Sequence, residues 1–342
     1  MRTIDWDQKK NCITIIDQTL LPEKLALYEI RDLEHLQEAI ASLRVRGAPA
    51  LGAAGGFGVA LIAHSIKSKG VPEFVKQLRA DCLKLKNTRP TAINLSWGVE
   101  RVLGRALDSD DVQDIRDIAL EEAKILAEDD VMRCREMGDH GAELLNDGDT
   151  VLTHCNAGRL ACVDWGTALG VVRSAVTAGK NIKVIACETR PLNQGSRLTA
   201  WELAEDKIPV TVIGDDMSGY VLRKKMINAV IVGADRIVED AVFNKIGTYT
   251  HSVLAKAHGI PFYVAAPLST FDFTRRESDV IIEERNPDEL RKCGNRQLTP
   301  AGVPVMNPAF DATPMENITA IITEEGVFRP PLDFRALEKL KM

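Results

Sequence analysis

The feature that most constrains the fold is a regular alternation of short apolar runs with helical segments after about residue 130. The runs are rich in β-branched side chains and nearly continuous in apolar character. Strands of this kind that alternate with helices form βαβ units, in which a parallel sheet is covered on both faces. The predicted strands are Thr150–Thr153, Ile182–Ala186, Val210–Ile213, Ala229–Val232 and Pro261–Ala265, and the predicted helices are Gly166–Ala178, Thr199–Glu205, Met217–Lys225 and Ser252–His258.

The chain before that point has a helical character. Asp32–Leu43, Pro72–Lys86 and Asp111–Asp147 carry apolar residues on one side and charges on the other, which is typical of amphipathic helices. Asn11–Asp17 gives the one strong strand signal in this part. The sequence therefore predicts an α/β protein in which a mainly helical N-terminal part precedes a parallel sheet.

Composition restricts the compartment and the partners. The 43 Lys and Arg against 49 Asp and Glu give a net charge of −6, and 45% hydrophobic residues indicate a folded chain. The acidic balance disfavours nucleic-acid binding but leaves room for a small anion held by a few local cations. Seven cysteines without a Cys-x-x-Cys pair, and an N-terminus without an apolar signal core, predict a cytoplasmic protein with reduced thiols. Ala48–Ala63 is too short and too rich in glycine to predict a membrane span.

Ligands of open parallel sheets bind beyond the carboxyl ends of the strands, so the residues that follow each predicted strand are the candidate site. Cys155 follows the first strand and precedes a predicted helix, whose positive end would favour a reactive thiolate. A buried, inert thiol is an equally weighted alternative. Asp235 follows another apolar strand, where partial desolvation favours the protonated form that a general acid needs. A helix cap or an ion pair with Arg236 is the alternative.

Phosphate-binding features are present but are not specific by themselves. Arg46, Gly47 and Ala48 begin a small-residue segment whose amides suit a phosphate, and tight helix packing is the alternative explanation. Arg89 and Lys245 add positive charge, and solvated surface residues are the alternative for both. The Walker and Gly-x-Gly-x-x-Gly patterns are absent, so neither ATP nor NAD is predicted. Gly-x-Ser-x-Gly is absent as well, which disfavours an α/β-hydrolase. The six histidines form no ligand motif, so no metal is predicted.

Several segments together resemble the methylthioribose-1-phosphate isomerase family, which is related to the regulatory subunits of translation initiation factor 2B. The resemblance runs from about residue 40 to near the C-terminus. RGAP and VGAD are shared with the initiation-factor relatives, whereas the HCN cysteine combined with ETRPLNQG and NKIGTY favours the isomerase branch. The matching segments are RGAPALG (46–52), NTRPTAINL (87–95), LTHCNAGRLACVDWGTALGVVR (152–173), ETRPLNQGSRLTAWEL (188–203), VGADRI (232–237), FNKIGTYTHSVLAK (243–256), PFYVAAPLSTFD (261–272) and NPAFDATP (307–314).

The resemblance implies an aldose–ketose isomerase. Its members convert 5-methylthio-α-D-ribose 1-phosphate into 5-methylthio-D-ribulose 1-phosphate in methionine salvage, without a cofactor. It implies Cys155 and Asp235 as the catalytic pair, and it implies a helical domain over residues 1–128, a Rossmann-like catalytic domain over residues 129–342, and a homodimer. The implied substrate-binding residues are Arg46, Gly47, Ala48, Arg89, Gln194, Asn244 and Lys245.

One departure from the family pattern concerns the substrate. Arg159 and Cys162 stand where the family pattern has an alanine and a threonine. An added guanidinium near the cleft either faces solvent or binds a second anionic group. The alternatives are therefore an isomerase of 5-deoxyribose 1-phosphate or ribose 1,5-bisphosphate, and a non-catalytic regulatory subunit. A dinucleotide-dependent oxidoreductase is a weaker third alternative, because the glycine fingerprint is missing.

Overall fold

The computed structural model describes residues 1–90, 92–294 and 296–340, and the chain divides into two compact units. Unit 1 contains Met1–Arg135 together with Gly158–Gly166, and unit 2 contains Glu136–Ala157 together with the residues from Thr167 onward. The predicted domain boundary after residue 128 falls within one long helix, Val112–Ala142. The exact boundary stays a prediction.

Unit 1 combines a small antiparallel sheet with helices. Ile4 pairs with Ile15, and Ile13 pairs with Ile30, so the middle strand joins the other two. The strands are β1 (Ile4–Asp7), β2 (Cys12–Ile16) and β3 (Leu27–Ile30), and the helices are α1 (Leu33–Ala41), α2 (Ala48–Ser65), α3 (Val71–Lys86), α4 (Ile93–Ala106) and α5 (Val112–Ala142), of which the residues up to Arg135 lie in unit 1.

Helix α2 forms the centre of the unit 1 core. Its length and apolar composition are sufficient to cross a membrane, but nearly all of its residues are buried inside the unit, as in the core helix of a globular domain. Glycines let its neighbours approach closely: a Cβ at Gly98 of α4 would lie 2.0 Å from the carbonyl oxygen of Gly52. Close helix packing, the alternative that the small-residue segment left open, is therefore observed.

Unit 2 is built on a seven-stranded sheet. Its elements are β4 (Thr150–Thr153), α6 (Ala168–Thr177), β5 (Lys183–Cys187), α7 (Ala200–Glu205), β6 (Val210–Ile213), α8 (Ser218–Arg223), β7 (Ala229–Val232), β8 (Arg236–Ile237), β9 (Ala241–Lys245), α9 (Thr248–His258), β10 (Phe262–Ala265), α10 (Asp288–Arg291), β11 (Lys292–Cys293), β12 (Arg296–Gln297), β13 (Phe310–Pro314), β14 (Ala320–Thr323), β15 (Gly326–Phe328) and α11 (Phe334–Leu340).

The order of the strands in the large sheet is β6-β5-β4-β7-β10-β14-β15. The first six are mutually parallel, and β15 pairs antiparallel with β14. The chain moves outward from β4 in one direction and then returns to add β7 on its other side. This reversal is the topological switch point at which open α/β sheets bind ligands. The predicted α/β fold with a mainly parallel, Rossmann-like sheet is confirmed.

The five predicted strands of this sheet are present within one residue of their predicted limits. β14 and β15 of this sheet, and the small sheet β8-β9-β13, were not predicted. The sequence of β13, FDATP, mixes charge, proline and small residues, and it lies in a strand because it pairs with the buried β9. Helix α6 begins at Ala168 rather than Gly166, because Gly158–Gly166 packs as part of unit 1.

Candidate functional site

Cys155 and Asp235 follow the two strands that flank the switch point. Strands β4 and β7 are adjacent and parallel, with Leu152 paired to Val230. The loops beyond them also meet, since a Cβ added to Gly233 would lie 2.7 Å from the Cβ of Ala157. The structure therefore places the two predicted catalytic residues on contacting loops at the same edge of the sheet. Both are partly exposed, which does not match the alternative of a fully buried thiol.

The backbone of Cys155 is held in an unusual conformation. Its φ of +65° lies in the left-handed region, which a residue with a Cβ rarely adopts. Its N–H donates to the hydroxyl oxygen of Thr189 at 2.8 Å, and its carbonyl oxygen accepts from the hydroxyl of Thr199 at 2.7 Å. Both threonines are fully buried. Two side-chain hydrogen bonds thus stabilise a strained backbone at the predicted catalytic thiol.

A buried polar network holds the Thr199 side chain in place. The side-chain amide of Asn156 donates to the Thr199 hydroxyl oxygen at 3.1 Å and also to a carboxylate oxygen of Glu202. Glu202 is fully buried and pairs with Arg173 at 2.6 Å, and Arg173 also pairs with Asp206. Because every charge in this network has a partner, burial does not leave an isolated ion beside the loop.

Asp235 directly precedes β8, which pairs with β9, the strand that carries two predicted binding residues. The N–H of Asp235 donates to the carbonyl oxygen of Phe243 at 2.9 Å, so Asp235 lies beside the end of β9. Asn244 and Lys245, the last residues of β9, are buried. The ammonium of Lys245 donates to the carbonyl oxygen of Ala309 at 2.9 Å. Arg236, the possible ion-pair partner of Asp235, has its guanidinium 3.7 Å from the Asp272 carboxylate.

Gln194 has a polar atom that suits ligand binding. It precedes a π-helical turn, Gly195–Thr199, that leads into α7. Its side-chain carbonyl oxygen is buried and has no hydrogen-bond partner among the residues that the structure describes. A buried acceptor without a partner costs folding free energy, so such an atom is often matched by a ligand. A substrate hydroxyl would satisfy it.

The remaining predicted binding residues lie in unit 1. Arg46 is buried and donates through Nε to the side-chain oxygen of Gln18 at 3.0 Å. Gly47 precedes α2 with a φ of +98°, and a Cβ there would lie 2.4 Å from Ala161, so only glycine fits. Ala48 is the first residue of α2, and Arg89 lies in the turn region after α3, half-buried. The amides at the start of α2 have the orientation that favours an anion.

Asp311 was not predicted as a functional residue but has a perturbed ionisation. Its two carboxylate oxygens accept from the N–H groups of Gly247 at 2.7 Å and Tyr249 at 3.1 Å, at the start of α9. Burial raises the pKa of Asp311 to about 6, although these two hydrogen bonds and nearby Lys245 act in the opposite direction. The carboxyl group therefore changes its charge near pH 6.

The residues that position Cys155 could not be identified from sequence. Thr189 and Thr199 lie far from it along the chain, and only the folded strand order brings them to its backbone. Asp215, which follows β6, accepts from the N–H groups of Thr189 and Arg190, each at 2.7 Å. The sequence indicated these residues only by their position, because each of them follows a predicted strand or begins a predicted helix.

Comparison with known proteins gives consistent matches over nearly the whole chain. Residues 44–330 match the Initiation factor 2 subunit family. A protein of Methanosarcina acetivorans, named provisionally as a methylthioribose-1-phosphate isomerase, is 62% identical over 331 residues, which cover 97% of this chain and 95% of that protein.

Two solved structures share the fold over nearly their full length. The 5-methylthioribose 1-phosphate isomerase of Pyrococcus horikoshii OT3 is 43% identical, with a TM-score of 0.91 over 99% of this chain and 95% of that one. A protein of A. fulgidus, described as translation initiation factor eIF-2B, subunit delta, is 59% identical, with a TM-score of 0.90 over the whole of both chains.

Proposed function

The chain belongs to the Initiation factor 2 subunit family, and we propose that within this family it is an aldose–ketose isomerase that converts 5-methylthio-α-D-ribose 1-phosphate into 5-methylthio-D-ribulose 1-phosphate in methionine salvage. The observation that carries the proposal is the position of Cys155 and Asp235 on contacting loops at the switch point of the sheet. The similar isomerases match this chain from end to end, so the whole site falls within the aligned region.

The substrate explains why an acid is needed. Its anomeric oxygen carries a phosphate ester, so the sugar ring cannot open spontaneously to an aldehyde. We assign Asp235 as the acid that gives a proton to the ring oxygen while the bond from C1 to that oxygen breaks. Cys155 then takes the proton from C2, which leaves an enol phosphate between C1 and C2. Cys155 then gives a proton to C1 while the C2 hydroxyl gives its proton to Asp235, which forms the ketone and restores both groups. Each acid–base role contributes roughly 10²–10⁴-fold in rate.

A hydride shift from C2 to C1 is the alternative route, in which Cys155 steadies the transition state. The two routes differ in the origin of the hydrogen that reaches C1. Turnover in D₂O incorporates deuterium at C1 in the proton-transfer route, because the thiol exchanges with solvent. A hydride shift retains the original hydrogen.

The remaining predicted residues are proposed to bind the substrate without reacting. Arg46, Gly47, Ala48 and Arg89 are assigned to the phosphate, because charge-assisted hydrogen bonds from guanidinium groups and helix amides suit its oxygens. Gln194 and Asn244 are assigned to sugar hydroxyls, and Lys245 adds positive charge. The unpartnered side-chain oxygen of Gln194 supports its part of this assignment.

A cytoplasmic homodimer is proposed on the same resemblance. A tetrameric eIF2B complex of C. thermophilum shares the fold, at 14% identity and a TM-score of 0.61. Light scattering on the purified protein distinguishes a dimer from a monomer or a tetramer.

The second candidate is a regulatory subunit without turnover. It is favoured by the A. fulgidus relative, whose description names an initiation-factor subunit at 59% identity. A turnover assay separates the two candidates. The assay compares methylthioribose 1-phosphate, 5-deoxyribose 1-phosphate and ribose 1,5-bisphosphate, with the wild-type chain and Arg159→Ala. We expect methylthioribose 1-phosphate to be the best substrate, whereas absence of turnover on all three sugars would support the regulatory role.

A further inference from the structure

Three potential metal ligands converge beside the carboxyl ends of adjacent strands, and a carboxylate lies near one of them. His154 follows β4, Cys187 ends β5, Asp215 follows β6, and His251 lies on α9. One donor atom each of His154, Cys187 and His251 lies within 4.8 Å of the other two. The carboxylate of Asp215 lies 3.9 Å from Nδ1 of His154. The sequence gives no sign of this cluster, because 97 positions separate the two histidines.

The hydrogen bonds of His154 place the lone pair of its Nδ1 against the second imidazole. Its Nε2 lies 2.8 Å from the carbonyl oxygen of Ile246, which can only accept, so the ring proton is assigned to Nε2. The lone pair is therefore on Nδ1, which faces Nε2 of His251 at 3.1 Å. Metal-binding histidines typically donate their other N–H to a carbonyl in this way. Two nitrogen ligands of a tetrahedral zinc ion, each at about 2.0 Å, lie about 3.3 Å apart.

Burial disfavours the charged form of both imidazoles. Burial lowers the pKa of His154 to about 4 and that of His251 to about 3. Nδ1 of His251 is sealed from solvent and has no hydrogen-bond partner among the described residues. Without an ion, His251 donates through Nε2 to Nδ1 of His154; an ion bound between these two nitrogens replaces that hydrogen bond and moves the ring proton of His251 to Nδ1.

Asp215 lies beside the three mutually close donors, on their more exposed side. Its carboxylate oxygens accept from the backbone N–H groups of Thr189 and Arg190, which fixes the orientation of the group as the outer partners of ligating carboxylates do. The Asp215 side chain is 29% exposed, whereas His154, Cys187 and His251 are almost fully buried. An ion can therefore enter from the side of Asp215.

We propose that His154, Cys187, Asp215 and His251 bind one divalent transition-metal ion of the Zn²⁺ type. Two imidazoles, one thiolate and one carboxylate are borderline donors that suit this ion in a tetrahedral arrangement. Binding breaks the S–H bond of Cys187, releases its proton to solvent and forms the metal–sulfur bond, without any change of oxidation state. The thiolate and the carboxylate together balance the 2+ charge, so the buried site is neutral. The proposal does not depend on the proposed isomerase activity.

The test uses Co²⁺, because its absorption reports both geometry and sulfur coordination. Full-length protein is freed of metals with EDTA, transferred to a chelator-free buffer and titrated with Co²⁺ at pH 7.5. We expect saturation at one ion per chain, intense visible bands of a tetrahedral ion, a sulfur-to-cobalt charge-transfer band in the near ultraviolet, and release of the Cys187 proton. Excess Zn²⁺ should remove all the bands.

The variants assign the signal to these residues. Cys187→Ala should abolish the charge-transfer band, and Asp215→Asn should weaken Co²⁺ binding by about tenfold or more. Cys134→Ala is the matched control, because Cys134 belongs to a separate buried cluster with Asp130 and Cys162 in unit 1. Cys155→Ser controls for the neighbouring thiol. Circular dichroism in EDTA verifies that each variant folds. Absence of tetrahedral bands in the wild type, or a charge-transfer band that persists in Cys187→Ala, would overturn the proposal.

Discussion

The hydroxyl of Thr199 lies 2.7 Å from the carbonyl oxygen of Cys155 and donates a hydrogen bond to it. This contact joins the turn before α7 to a residue whose φ is +65°. Since such a conformation persists only when its surroundings hold it, Thr199 and Thr189 are expected to determine where the Cys155 thiol is presented. The geometry of the proposed base is thus set by residues that need not touch the substrate.

Removing the Thr199 hydroxyl is expected to lower turnover without a comparable loss of substrate affinity. Thr199→Val keeps the shape but deletes one hydrogen bond to Cys155 and one from Asn156. At about 1 kcal/mol for each of the two buried bonds, kcat should fall roughly thirtyfold while KM changes little. Steady-state kinetics measures both constants.

Thr199→Ser is the control for this experiment. It retains the hydroxyl, so kcat should remain within about threefold of the wild-type value. Equal losses of kcat in the serine and valine variants would show that packing of the methyl group, rather than the hydrogen bond, matters.

Neutralising Glu202 is expected to destabilise unit 2. Glu202→Gln leaves the buried guanidinium of Arg173 with Asp206 as its remaining carboxylate. Because one partner remains, we expect a loss of about 2 kcal/mol in the free energy of unfolding, below the full cost of an unpaired buried charge. Urea denaturation measures it, and Glu205→Gln, an exposed change on the same helix, should shift the midpoint little. Equal midpoints for the two variants would contradict the importance of the buried pair.

Removing the side-chain oxygen of Gln194 is expected to weaken substrate binding. Gln194→Met keeps the length of the side chain but removes the acceptor that has no partner in the described part of the chain. KM should rise about tenfold with a smaller change in kcat, since the lost contact is made equally in the ground and transition states. Gln297→Met, at an exposed position, is the control. A wild-type KM in Gln194→Met would remove Gln194 from the binding site.

Asp311 is expected to make stability depend on pH in a direction opposite to that of a salt-bridged aspartate. Its pKa is raised to about 6, whereas an unfolded aspartate titrates near 3.9. Between these values the folded chain holds the proton more tightly, so this contribution to the free energy of unfolding is present below about pH 4. It is lost as the pH rises through about 6.

Urea unfolding of the wild type and Asp311→Asn at several pH values between 4 and 7 isolates this contribution. The difference in the free energy of unfolding, wild type minus variant, should decrease as the pH rises across this interval. A difference that stays constant, or increases, would show that Asp311 has an ordinary or lowered pKa.

The sequence predicted the elements that local pattern controls. Thr150–Thr153 and Ala229–Val232 were predicted at their observed limits because buried parallel strands are short, apolar and β-branched. Their parallel arrangement then implied that Cys155 and Asp235 lie at the same edge of a sheet, and the structure confirms that edge. The hydrophobic pattern of the sequence could not predict that β4 and β7 are adjacent, because this depends on the order of strands in the folded sheet.

Features that depend on contacts between distant parts of the chain could not be predicted from the sequence. His154 and His251 show no ligand spacing, yet β4 and α9 bring their rings into hydrogen-bonding distance. The two hydrogen bonds that hold the Cys155 backbone likewise come from Thr189 and Thr199, and nothing in the sequence around these threonines indicates that role. Strand β13 was not predicted, because its extended conformation results from its pairing with β9 and not from its own composition.

The most direct test of the central claim is the conversion of 5-methylthioribose 1-phosphate, followed by ³¹P NMR, with wild-type protein, Cys155→Ser and Asp235→Asn at equal concentration. Circular dichroism establishes that all three are folded. The account predicts that the wild type forms the ketose phosphate and that each variant is slower by about 10²-fold or more. Wild-type rates in either variant would contradict the assignment of Cys155 and Asp235 as the reacting pair.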